Sequence, residues 1–137
     1  MSDLFDPRIA TDQAAQARVV TWTAALRSGR YHQVTGGLRS PEGFCCLGVA
    51  CDLFNPRIWR PGPDELGWMY LGVLVDLPKP IMDVYRLRRR DGQYSQADGY
   101  AASLAGDNDS GKSFAEIADL IEAQLEAALA AGREARR

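Results

Sequence analysis

The stretch Gly43-Phe44-Cys45-Cys46-Leu47-Gly48-Val49-Ala50-Cys51-Asp52-Leu53-Phe54 constrains the fold of this chain more than any other. It holds all three cysteines, at spacings of one and five. That spacing predicts a short buried helix over about 46–54 rather than a metal site, because zinc sites draw on C-x-x-C pairs and none is present. Neighbouring cysteines do not normally pair with each other, and three is an odd number. Free buried thiols are therefore expected.

Other elements are read around this block. Thr11 or Asp12 can cap a first helix running to about Ser28, with Ala15, Val19, Trp22 and Leu26 on one face and Gly29 as its stop. Tyr31 to Thr35 alternates, Gly36-Gly37 can turn, and Leu38-Arg39 returns. Pro41-Glu42-Gly43 makes a second turn, closing a small sheet at Phe44-Cys45. A proline-rich loop over 55–67 follows, then a strand over 68–75 and a helix over about 79–88. Asp91-Gly92 reads as a turn and 97–105 as a short helix. The last helix begins at Phe114 and runs to about Ala131. Phe114, Ile117, Ala118, Ile121, Leu125 and Leu129 keep its rhythm, and Gly132 ends it. The expected architecture is α+β: a single compact domain over 1–137, several helices on a small antiparallel sheet, and a long C-terminal helix. Residues 1–10 and 132–137 are expected to be loose.

At 137 residues, one domain is expected. The net charge of −2 gives no global field for nucleic acid, and no apolar run approaches the roughly 20 residues of a membrane span. Met1-Ser2-Asp3-Leu4-Phe5-Asp6 is acidic and lacks a signal-like apolar region, so a cytoplasmic protein is expected.

Gly106-Asp107-Asn108-Asp109-Ser110-Gly111-Lys112-Ser113 matches the phosphate-loop pattern G-x-x-x-x-G-K-S. That motif needs a preceding buried strand and a parallel sheet. Here a helix-prone, alanine-rich stretch precedes it, and two aspartates would repel phosphates. Ser113 and Glu116 instead spell a capping box for the last helix, with local turns at Asp107, Asn108 and Asp109. The exposed N–H groups of that helix start, helped by Lys112, remain a candidate anion site. A calcium loop is excluded because Ala118 stands where the bidentate glutamate belongs. Arg86, Arg88, Arg89 and Arg90 form a basic run beside Tyr85 and Tyr94. It reads as a cationic helix end, with phosphate gripping as the alternative. Cys45 or Cys46 with His32 would be the machinery of a thiol enzyme, with core packing of the cysteines as the other reading.

Three segments together resemble a family of small bacteriophage and actinobacterial proteins. They are Trp22–Gln33, the Phe44–Leu53 cysteine block, and Asn108–Ile121, which fit W-x-x-A-L-R-S-G-x-Y-x-Q, F-C-C-L-G-V-x-C and N-D-x-G-x-S-F-x-E-I-A-x-x-I. In that pattern the first glycine and the lysine of the phosphate-loop match vary, which makes the match a coincidence around a helix cap. Asp107 stands where the family usually has leucine, and Val34 where it often has glycine. No catalytic residue carries over from the resemblance, and no cofactor is expected.

The expected function is a non-enzymatic phage accessory protein that sequesters a nucleotide-type signal, an anti-defence sponge in the host cytoplasm. Arg27, Tyr31, Gln33, Arg39, Asn108, Asp109 and Lys112 are the candidate ligand contacts. A protein–protein inhibitor of a host factor is the alternative, with a patch at Ile58-Trp59 or Trp68-Met69-Tyr70-Leu71. The Cys–His thiol hydrolase is a third. Neither metal nor membrane is expected, and a homo-oligomer through Leu120, Ala127 and Leu129 is allowed.

Overall fold

A computed structural model of the chain describes residues 3–63 and 67–137. Met1, Ser2 and residues 64–66 of the proline-rich loop lie outside the described residues. The architecture is α+β: among the described residues there are five helices, the last of them long and C-terminal, and three two-stranded antiparallel ribbons.

Helix α1 (Gln13–Arg27) starts at Asp12, whose side chain accepts the Ala15 N–H. Its face of Ala15, Val19, Trp22 and Leu26 is buried, as the spacing predicts. Strands β1 (Arg39–Ser40) and β2 (Gly43–Phe44) pair across Pro41-Glu42. Cys45 then caps helix α2 (Cys46–Phe54), its Sγ accepting the Gly48 N–H. α2 is the hub of the core. Trp22 donates its indole N–H to the Cys46 carbonyl, and the Tyr85 hydroxyl donates to the Ala50 carbonyl, both at 2.9 Å. Gly48 is required there, because a Cβ would lie 1.9 Å from the Leu38 carbonyl oxygen.

β3 (Arg60–Pro61) pairs with β4 (Trp68–Met69), and β5 (Gln93–Ser95) with β6 (Ala101–Ser103). Helix α3 (Lys79–Val84) lies between these ribbons in sequence, and helix α4 (Leu104–Asp109) follows β6 directly. Helix α5 (Phe114–Ala135) opens on the expected capping box of Ser113 and Glu116. It packs against α1 and against a 3-10 turn at Pro7–Thr11.

Several expectations are corrected. Residues 3–10 are not loose: Leu4, Phe5 and Ile9 are at most 1% exposed. The chain there pairs with the segment after α3, through Asp6 N–H to the Arg86 carbonyl and Arg88 N–H to the Leu4 carbonyl. Tyr31 to Arg39 is no hairpin. Gln33 forms a single parallel bridge with Phe44, and Leu38 donates to the Leu74 carbonyl instead. The strand expected over 68–75 stops at Met69, because Leu71 and Gly72 turn with φ of 51° and 83°. The helix expected to reach Arg88 stops at Val84, with Arg86 left-handed. Residues 97–105 are split between the β5–β6 turn, β6 and the start of α4 rather than forming one helix. Asp107, Asn108 and Asp109 are the last residues of α4, not a free turn. Gly132 does not end α5: the helix runs on to Ala135, and the glycine sits there because a Cβ would meet Ala10 Cβ at 2.3 Å.

Candidate functional site

The seven expected contact residues fall into three groups. Gln33, Asn108, Asp109 and Lys112 do come together, but their bonds run to one another or to neighbouring backbone. Asn108, 1% exposed, accepts at Oδ1 from Gln33 Nε2 (2.9 Å) and from the Cys46 N–H (3.2 Å), and donates from Nδ2 to the Val34 carbonyl (2.7 Å). Gln33 also donates to the Lys112 carbonyl and accepts from the Phe114 N–H. Asp109 accepts from the Gly36 N–H at 3.0 Å. These side chains clasp the segment after α1 to the α4–α5 corner and to the start of α2.

At the start of α5, four of the N–H groups expected for an anion are already engaged. Lys112 N–H donates to the Asp107 carbonyl, Ser113 N–H to Glu116 Oε1, Phe114 N–H to Gln33 and Glu116 N–H to Ser113 Oγ. Lys112 Nζ sits 3.9 Å from Asp107, which also accepts from the Tyr94 hydroxyl. Half of the phosphate-loop match is helix α4, so no loop is present to wrap a phosphate.

Arg27 and Tyr31 are also engaged. Arg27 forms ion pairs with Asp119 and Glu122 of α5, which raise its already high pKa further. Tyr31 donates to Asp52 at 2.7 Å, and Asp52 also accepts from the Trp59 indole N–H at 3.0 Å. Burial, then the Asp52 bond, raises the Tyr31 pKa.

Arg39 differs from the other six. Its guanidinium lies over Trp68 (4.3 Å to the ring centre), Phe44 (5.0 Å) and Trp59 (5.4 Å). No ion pair to a carboxylate is found for it among the described residues. It lines a groove of about 240 Å³ between the Thr35-Gly36-Gly37 turn and Leu74-Val75. A guanidinium laid on aromatic faces keeps its N–H donors in its own plane, free for bidentate contact with an oxyanion. The sequence gives no cue to this stack, since two of its rings come from residues 20 and more positions along the chain.

The thiols are buried and free. Burial pushes the Cys45 pKa up to about 11 and raises those of Cys46 and Cys51 as well. A nucleophilic cysteine needs the opposite shift. Cys46 Sγ points to the Leu104 carbonyl in the core, and the His32 side chain is exposed. Of the expected inhibitor patch, Trp59 and Tyr70 are buried, Ile58, Trp68 and Met69 are half-buried, and Leu71 is exposed, with Leu74 and Val75 exposed nearby. Leu120 and Leu129 already pack against the chain's own core, though only in part. Among the described residues no cluster suited to a metal ion is found, and no helix is long and apolar enough to cross a membrane.

No curated protein and no solved structure matches this chain. Residues 16–125 match DUF8296, a domain of unknown function, and this stretch carries α1, the α2 hub, the Arg39 groove and the clasp at Asn108. The chain belongs to the DUF8296 family.

Proposed function

We propose that this protein is a non-enzymatic accessory factor of the bacteriophage type that sequesters a small, nucleotide-type anion in the groove at Arg39. The observation that carries this reading is the guanidinium stacked on Trp68, Phe44 and Trp59 at the edge of an open groove. A cation held in place by rings loses little freedom when it grips a phosphate. Leu74 and Val75 offer an apolar wall for a base, and the Gly36-Gly37 backbone allows close approach. A sponge that only holds its ligand needs no nucleophile and no proton donor. Its place of action is the host cytoplasm, against a nucleotide immune signal.

Native mass spectrometry with a mixture of nucleotides and cyclic nucleotides tests this. The expected result is an added mass of a few hundred daltons on the wild-type protein. Arg39→Ala should weaken that binding by about 10- to 100-fold, as loss of a charge-assisted pair does, and Arg39→Lys should restore it only in part. A bare mass with every nucleotide contradicts the reading. One observation favours the alternative of a protein–protein inhibitor. Leu71 is half exposed in a left-handed conformation that costs an ordinary residue about 1 kcal/mol, and Leu74 and Val75 flank it. A bare mass would shift weight to that reading, which predicts capture of a specific host protein lost in Leu71→Asp.

A further inference from the structure

We infer that the antiparallel pair α1 and α5 forms a second interaction surface, a groove that takes a cationic amphipathic helix from a protein partner. The groove is about 490 Å³ and runs along α5 from Asp119 to Glu126. Val19, Thr23 and Leu125 make its floor, and Val20, 60% exposed, stands on its α1 rim. One turn along α1 from Val20 stands Ala24, exposed and uncharged. The α5 side is acidic. Asp119, Glu122 and Glu126 line the groove, and Glu116 precedes them along the same face at helical spacing.

The two rims therefore differ in kind, one apolar and one anionic. A helix laid between them would set an apolar stripe on Val20 and Ala24 and lysines or arginines toward Glu126 and Glu122. That is the pattern of helix-in-groove recognition, with anchors at i, i+3, i+4 and i+7. Arg27 bridges to Asp119 and Glu122 and neutralises one end. Among the described residues Glu126, a turn further on, has no ion pair, and it fixes the direction of the docked helix. Exposed ion pairs add little affinity, so the apolar contact holds the partner and the carboxylates choose its sign.

Two synthetic helical peptides of about 15 residues, the length of α1, test this by isothermal titration against the full chain. They share one leucine–alanine face. One carries lysines on the flank and the other glutamates. The lysine peptide should bind at least tenfold tighter than the glutamate peptide. Glu126→Lys should cut its affinity at least tenfold, and so should Val20→Asp, although the latter makes the protein more acidic. Non-specific attraction would be strengthened by Val20→Asp, so that variant separates a groove from a diffuse field. Both positions are exposed, and an unchanged melting temperature confirms that the variants fold. Equal binding of the two peptides, no binding, or indifference to Val20→Asp overturns the proposal. A concentration-dependent dimer abolished by Val20→Asp would assign the groove to a second copy of the chain and overturn it as well. Arg39→Ala leaves the peptide binding unchanged, so this surface and the Arg39 groove fail or stand separately.

Discussion

Asn108 shows how a residue can be singled out for the wrong job. Its amide looks like a ligand contact in sequence, beside Asp109 and Lys112. In the fold it satisfies Gln33, the Cys46 N–H and the Val34 carbonyl at once. No sequence rule reports that three partners, one of them 75 positions away, have claimed the same side chain. Asn108→Ala strands buried polar groups at each end, and should cost about 3 kcal/mol and lower the melting temperature by roughly 10 °C. Lys112→Ala breaks only a long contact of a part-exposed amine and should change stability by less than about 0.5 kcal/mol. The cysteines were legible as core residues, because an apolar helix hides its thiols. With a pKa near 11, Cys45 is about one part in a thousand thiolate at pH 8. All three thiols should resist iodoacetamide in the folded protein and react in denaturant, and His32→Ala should leave their rates unchanged. The same shift has a consequence for stability. The folded state holds the Cys45 proton more tightly than the unfolded state, so this contribution is complete below about pH 9 and is lost as the pH rises through 11. Tyr70, pushed up to about 12, acts in the same direction. Denaturant titrations should show a flat plateau to about pH 8.5 and a decline beyond it.

At the level of elements, α1, α2 and the start of α5 were legible because each carries a local signal: an apolar face, a cysteine block, a capping box. The short ribbons were not. Their strands are two or three residues long, too short for an alternating pattern, and their register depends on partners elsewhere. The phosphate-loop match misleads for the same reason, since α4 is fixed by its Ser103 cap and by burial of Leu104, not by its letters. Gly132 is the sharpest reversal. Glycine commonly ends a helix, yet here it lets α5 approach the Pro7–Thr11 turn. Alanine is a better helix former by about 1 kcal/mol, but Gly132→Ala should destabilise by about 1–3 kcal/mol. Ala10→Gly in the same chain should recover most of that loss. Stabilisation by Gly132→Ala alone would refute the contact.

Across the whole molecule, the N-terminal segment behaves as part of the core. Leu4, Phe5 and Ile9 fill the space between α5 and the segment after α3, and burying three such side chains contributes about 5–8 kcal/mol. Domains of this size are stable by only about 5–15 kcal/mol. Deleting residues 1–9 should therefore abolish cooperative unfolding, read by circular dichroism. An unchanged melting temperature would show the segment to be dispensable. The acidic opening of the chain concealed this, because Leu4, Phe5 and Ile9 are too few and too irregularly spaced to form a pattern. The polar residues of the family motifs knit the fold together, and the two surfaces proposed for binding lie beside them, at Arg39 and between α1 and α5. Amide chemical-shift mapping of the labelled protein with mononucleotides and cyclic dinucleotides tests that division most directly. The account predicts shifts at Thr35 to Ser40, at Leu74 and Val75, and at the Trp68 indole, with the Gly111 to Phe114 amides unmoved. Shifts centred on Gly111 to Phe114, or none at high micromolar ligand, would contradict it.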